Sequence, residues 1–230
     1  FDRSRGGFCL ELNMLLAKLL LQLGYKLVRV PAIVHADNGF RSIATHVFLA
    51  VTDNQGTLWF VDVGFGEPPL HPLRYEENIS QTTPEGMESR FVRDDNDENM
   101  MILEWKTSSG EWSPRLKWNH QAALVSEGPS EQDFQRALET VHEPSNIFSR
   151  KLIVCLISRT KKITIAGGRL KVTTPRFGPD LKVSLTQIES TMRIREILSE
   201  EFGIPMEETE GLELNRRLFG YNRSYRLRMR

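Results

Sequence analysis

The sequence predicts an α+β fold: a leading helix, then an antiparallel sheet or small barrel, then a smaller mixed layer. Three observations carry this. Residues 9–23, CLELNMLLAKLLLQL, are dominated by strong helix formers. Between 25 and 118 the texture changes to short β-branched and aromatic runs divided by turn residues. Beyond Pro129, helical and strand-like segments alternate. A chain of 230 residues suffices for one large domain or two to three small layers.

In the first helix only Glu11, Asn13, Lys18 and Gln22 interrupt the apolar surface, and Gly24 supplies a stop. That distribution predicts burial on several sides. YKLVRVPAIVH, THVFLAVTD and TLWFVDVGFG read as strands. Asp37-Asn38-Gly39 and Asp53-Asn54-Gln55-Gly56 are the turn signals between them. The second turn predicts a hairpin joining 46–52 to 57–63. Further strands are expected at 88–93, 100–106 and 112–118. SEQDFQRALETVH reads as a helix with Ser130 as its cap. KLIVCLISR, KITIAGG and RLKVTT read as three strands, with a hairpin turn at 166–168. SLTQIESTMRIREILSEEFG reads as a helix capped by Ser184 or Thr186 and ended by Gly203.

Composition narrows the function. Thirty basic residues balance thirty acidic ones, which argues against a dedicated nucleic-acid binder. The longest apolar stretch carries Lys18 and Gln22, so no membrane span is expected. Cys9 and Cys155 are too few for a disulfide scaffold, and a reducing, cytoplasmic setting is the default. With no C-x-x-C spacing and five scattered histidines, a metal site is not expected. GFGEPP lacks the third glycine of a dinucleotide loop. The abrupt opening on FDRSRGGFC predicts that a segment precedes Phe1 in the full protein.

Cys9 sits where the Gly6-Gly7 pair meets the first helical turn. Two glycines permit a sharp turn and a close approach. One reading of Cys9 is a small buried hydrophobe. The other is a nucleophile, which must be a thiolate. Moving a thiol from about 8.5 to about 6.5 takes roughly 2.7 kcal/mol. A helix dipole supplies only about 0.3–2 kcal/mol, so a nucleophile here needs a cationic partner.

His46 opens an apolar strand, and Asp62 closes another. A carboxylate in such a setting is costly unless paired. If the hairpin is centred near position 54, residues 46 and 62 lie directly opposite, about 5 Å apart. That spacing predicts that Asp62 orients His46 and His46 activates Cys9. His35, His71, His120 and His142 read as solvated or packing residues.

RGGFCLELN, ATHVFLAV and FVDVGFG, in that order, resemble the three signature blocks of the arylamine N-acetyltransferases. HEPSNIFSRKLIVCLISR and KITIAGGRL resemble the family's passage into its third domain, so the likeness runs from residue 3 to about 203. The resemblance implies a catalytic triad of Cys9, His46 and Asp62 in a cysteine-protease-like arrangement. It also implies the remnant of an N-terminal helical bundle (1–24), an antiparallel β-barrel (25–128) and an α/β lid (129–230). Phe65 matches an aromatic of the family's acceptor pocket. Phe8 stands where many members carry Trp, and Val63 where many carry Ala. Ser145 and Ser42 fall in stretches that contact coenzyme A. The implied activity is ping-pong transfer of acetyl from acetyl-CoA to arylamines or arylhydrazines, with an acetyl-cysteine intermediate. Acetyl-CoA is then a substrate, with no tightly bound cofactor, and the role is xenobiotic metabolism.

Two alternatives stay open on sequence. The triad could serve an amide synthase or hydrolase with another acyl donor, or the chain could be an inactive but binding-competent fragment. The terminal NRRLFGYNRSYRLRMR carries no acidic residue. It is expected to dock on the body, or to offset Glu207, Glu208, Glu210 and Glu213, rather than to hold nucleic acid or membrane.

Overall fold

The computed structural model describes residues 6–36, 38–125, 131–144, 149, 151–177 and 180–212. Two compact units divide the chain. The first runs to Val141 and includes Phe177; the second takes 142–176 and the residues from Asp180 onward. The Arg-rich terminus, Ser130 and Ser145 lie outside the described residues.

The first unit opens with α1 (Cys9–Gln22), whose N-cap Phe8 is extended at φ −94° and ψ 177°. A phenylalanine offers no capping oxygen. The Glu11 carboxylate turns back instead and accepts the Phe8 N–H at 3.0 Å. Gly7 makes room for this: a Cβ there would fall 2.9 Å from Glu11 Oε2. Neither Gly6 nor Gly7 takes a left-handed conformation, so the close approach is made by Glu11 rather than by a sharp glycine turn. Leu10, Asn13 and Ala17 form one buried stripe of α1, against β1 (Lys26–Ala36) and β3 (His46–Thr52). Leu15, Leu19, Leu21 and Leu23 are exposed, so among the described residues α1 is covered on one face and not on several.

A nine-stranded antiparallel sheet follows. Its other strands are β2 (Gly39–Phe40), β4 (Leu58–Val61), β5 (Leu73–Arg74), β6 (Gln81–Thr82), β7 (Glu88–Asp94), β8 (Asp97–Lys106) and β9 (Trp112–Asn119). The order is β5-β4-β3-β1-β9-β8-β7-β6, with β2 on the end of β1. Inward residues from all round this sheet meet in one cluster: Val30 and Ala32 of β1, Phe48 of β3, Phe60 of β4, Phe91 of β7, Leu103 of β8 and Trp118 of β9. A single sheet sharing one such core is curled into a nearly closed barrel. β1 makes this curl by changing partners. Lys26–Ala32 pair with β3, and Ile33 and Val34 pair with β9. α2 (Glu131–His142) packs Phe134 and Val141 against Cys9, Leu10 and Val47.

The β3–β4 hairpin forms with a different register from the expected one. Leu49 faces Val61 and Thr52 faces Leu58, so the turn is centred on Gln55. The reason is Asp53. Its Oδ1 accepts from Gln55 N at 2.8 Å and Thr57 N at 2.9 Å, and its Oδ2 accepts from Trp59 Nε1 at 2.9 Å. Gly56 supplies the left-handed residue at φ +83°. Continued along the ladder, this register sets Asp62 opposite Phe48, two residues beyond His46. Pairing stops at Val61, and Asp62 leaves the sheet.

The second unit is a four-stranded antiparallel meander. It contains β10 (Ile153–Ile157), β11 (Lys162–Ala166), β12 (Arg169–Thr174) and β13 (Lys182–Gln187). α3 (Thr191–Phe202) buries Ile194, Ile197 and Leu198 with Ile165 and Ile188. The sequence reading placed the start of this helix near 184–186. Those residues are strand instead, because Lys182–Gln187 pair along the whole of β12. The cap is Ser190, whose Oγ accepts from Arg193 N at 3.1 Å. Gly203 ends the helix at φ 67°, as expected.

Candidate active site

Cys9, His46 and Asp62 come from three separate pieces of the first unit and meet at one point. Cys9 is the first residue of α1, His46 the first of β3, and Asp62 the first after β4. All three are buried. His46 Nε2 lies 2.7 Å from Asp62 Oδ2. Cys9 lies close enough to His46 to contribute to the raised pKa of the ring, which places its sulfur beside the imidazole. Cys9 Sγ also lies 3.6 Å from the Thr45 carbonyl, the residue just before His46.

The remaining oxygen of Asp62 is equally engaged. Oδ1 accepts from Asn13 Nδ2 at 2.9 Å, Gly64 N at 2.8 Å and Phe65 N at 3.1 Å. Burial alone pushes the Asp62 carboxyl upward. The His46 charge and these hydrogen bonds outweigh it, so its pKa is lowered. Burial likewise pushes His46 down. The Asp62 carboxylate, with a smaller contribution from Cys9, reverses that and raises it to about 10. The pair is therefore ionised together, and a buried imidazolium stands beside the sulfur. That arrangement keeps a proton within reach of the sulfur.

Two supporting residues were not singled out as functional from sequence. Asn13 is fully buried, and its amide makes three bonds. Nδ2 donates to Val47 O at 2.8 Å and to Asp62 at 2.9 Å, and Oδ1 accepts from Val63 N at 3.0 Å. It therefore ties α1, β3 and the Asp62 loop together. Its signal was visible: an amide four residues after Cys9 in a helix of leucines must find partners if buried. The second is Gly64. A Cβ there would fall 2.4 Å from the Cys9 Cα, so only glycine lets the loop lie against the start of α1.

The remaining expected site residues fall as follows. Phe65 packs edge-on to His46, with ring centroids 5.2 Å apart. Phe8 is half-buried against the cluster that holds Cys9. Ser42 is exposed in the bend before β3 and is not among the residues bonded to the triad. Neither cysteine is in a disulfide, and Cys155 is exposed on β10. Among the described residues there is no group of three His, Cys, Asp or Glu that could hold a metal ion. No described helix is long and apolar enough to cross a membrane.

Comparison with known proteins agrees in sequence and in fold. A family profile described as N-acetyltransferase matches residues 1–211. The arylamine N-acetyltransferase of Mycobacterium tuberculosis is 30% identical over 220 residues, covering 87% of this chain and 76% of the relative. That of Mycolicibacterium smegmatis is 26% identical, covering 94% of this chain and 75% of the relative. The solved arylamine N-acetyltransferase of M. tuberculosis superimposes with a TM-score of 0.77 at 25% identity, covering 94% of this chain and 77% of that one. The Mycobacterium marinum enzyme in complex with CoA gives 0.78 at 24% identity, covering 94% and 77%.

Proposed function

This chain belongs to the arylamine N-acetyltransferase family and is an acyltransferase, and from that membership we propose that it carries acetyl from acetyl-CoA to an aromatic amine or hydrazine through an acetyl group held on Cys9. The observation that carries this reading is the His46–Asp62 pair, 2.7 Å apart and buried, beside the Cys9 sulfur.

The Cys9 thiolate attacks the thioester carbonyl of acetyl-CoA. The tetrahedral adduct collapses with loss of the CoA thiolate, and His46 supplies the proton that makes it CoA–SH. One thioester replaces another, so the exchange is near thermoneutral. Neutral His46 then takes a proton from the incoming amine as its nitrogen attacks the acetyl carbon. Cys9 leaves as thiolate, and the amide departs. Proton transfer of this kind contributes about 10²–10⁴ in rate. Arylamines are weak bases and neutral near pH 7, so they enter an apolar site without shedding a charge. Asp62 takes no proton; it holds the imidazolium and fixes its orientation.

The CoA in the M. marinum relative supports acetyl-CoA as the donor substrate. Ser42 and Ser145 are assigned to CoA contact, and Phe8 and Phe65 to the acceptor side. Two unbridged cysteines support a reducing compartment such as the cytoplasm. Intact-mass measurement after mixing with acetyl-CoA tests the reading. One acetyl group is expected on Cys9 and none on Cys9→Ala. An unmodified folded wild-type protein would refute it.

A further inference from the structure

The sheet of the second unit ends on β13, and every residue from Lys182 to Gln187 is exposed. β13 pairs with β12 along its whole length, and among the described residues no strand pairs with its other side. The bonding parity shows which backbone groups are left over. Ile188 N donates to Gly168 O at 2.7 Å, one step beyond the Gln187–Arg169 pair. Bonded and non-bonded pairs alternate along an antiparallel ladder. Thr186, Ser184 and Lys182 therefore direct their N–H and C=O groups at β12, and Val183, Leu185 and Gln187 turn theirs outward.

An open edge of this kind is a template for another strand, and folded proteins blunt such edges with charges, proline, a bulge or a covering segment. β13 has none of these between Val183 and Gln187. Its single charged residue, Lys182, stands at one end. Its pairing with β12 runs without a register shift, and its side chains are open to solvent. Val183 and Leu185 lie on one side of the sheet and are 52% and 53% exposed. Valine, leucine and threonine side chains suit a paired strand better than a solvated one.

The strand that fits this edge is the same strand of a second copy. A two-fold axis through the sheet brings two identical edges together antiparallel. With Leu185 opposite Leu185 of the partner subunit, Val183 lies opposite Gln187 of the partner subunit, so outward groups meet outward groups. A slip of one residue would set them against groups already bonded to β12. Charge permits the pairing. Lys182 falls opposite Ile188 of the partner subunit, so no like charges face each other. Lys171 lies opposite Leu185 on β12. It is thus three strand spacings, about 14 Å, from its counterpart across the axis, beyond a screening length of about 8–10 Å. An edge of six residues is small beside the ~1,200–2,000 Å² of a stable interface, so the association is expected to be reversible.

We propose that β13 is a self-association surface, through which two copies of this chain pair edge to edge and join their four-stranded sheets into one. The inference is independent of the acyl-transfer reading. Sedimentation equilibrium from about 10 μM to 1 mM tests it, and the mean mass is expected to rise from one chain toward two. Leu185→Pro removes only an outward N–H and leaves the bonds to β12 in place. Leu185→Lys sets an ammonium opposite its own copy. Each is expected to weaken association about tenfold or more, with the thermal unfolding midpoint measured at low concentration as the check on folding. A wild type that stays a single chain throughout overturns the proposal. Undiminished association of both folded variants also overturns it, and moves the contact to another surface such as the β10 edge or the exposed leucines of α1. Should the variants fail to fold, amide hydrogen exchange of wild type decides. Protection of the Val183, Leu185 and Gln187 amides is expected to rise with protein concentration, and exchange that is the same at both ends of the range overturns the pairing.

Discussion

Asn13 holds Asp62 from below: its Nδ2 lies 2.9 Å from Asp62 Oδ1 and 2.8 Å from the Val47 carbonyl, with no solvent at any of the three groups. The first turn of α1 thus presents Cys9 to His46 and, one turn later, Asn13 to the carboxylate behind His46. Asn13→Ala leaves the Val63 N–H and the Val47 carbonyl without that partner. The expected cost is about 2–4 kcal/mol in urea unfolding. The rate of Cys9 acetylation is expected to fall at least about tenfold, because Asp62 keeps its charge but loses its fixed position. Equal stability for Asn13→Ala and wild type contradicts the tie.

Gly64→Ala tests the close approach of the loop to Cys9. A Cβ 2.4 Å from a backbone atom cannot be relieved by side-chain rotation. Overpacking of this kind costs about 1–3 kcal/mol or more, and acetylation of Cys9 is expected to fall even where folding survives. Gly6→Ala is the control. Nothing lies within 4 Å of the added methyl, so stability and acetylation are expected to match wild type.

The raised pKa of His46 has a stability consequence. Between its ordinary value of 6.5 and its folded value of about 10, the folded chain binds one proton more than the unfolded chain. Stability from this pair is therefore full below pH 6.5 and lost as pH rises toward 10. The limiting slope is ~1.4 kcal/mol per pH unit. Asp62, whose pKa is lowered from 3.8, acts at the other end: its contribution is present above that value and lost as pH falls through the depressed one. Denaturation of wild type and His46→Gln across pH 6 to 10 measures this, and the difference between them is expected to shrink as pH rises. A constant difference rules out the ionised pair.

Asp62→Asn keeps the shape of the site and removes the charge that reverses the effect of burial on His46. Single-turnover acetylation is expected to fall about 10²–10⁴. The residual rate is expected to rise with pH near neutrality, since His46 no longer holds a cation against burial. A variant as fast as wild type shows that Asp62 serves folding alone.

Ser190 and Ser184 separate the observed start of α3 from the expected one. Ser190→Ala removes an accepted N–H bond at 3.1 Å and is expected to cost about 1 kcal/mol. Ser184 is an exposed residue of β13, so Ser184→Ala is expected to leave the unfolding midpoint unchanged. Thermal unfolding of both variants is sufficient.

What sequence alone determined here is what short-range chemistry encodes. Residues 9–22 are helical because leucine, alanine and lysine favour it, and Gly56 marks a hairpin because it takes a left-handed turn. A histidine and a carboxylate in otherwise apolar strand ends, with a thiol at a helix start, were legible as a potential active centre for the same reason. Tertiary structure decided how these pieces meet. Asp53 stitches its turn to Thr57, shifting the hairpin by two residues from the expected pairing, so Asp62 reaches His46 only by leaving the sheet. The need for Asn13 and Gly64 exists only once residues about fifty positions apart touch. Periodicity and turn propensity are local energies. Register and the pairing of buried polar atoms depend on which distant backbone arrives opposite, and that is fixed only when the barrel closes.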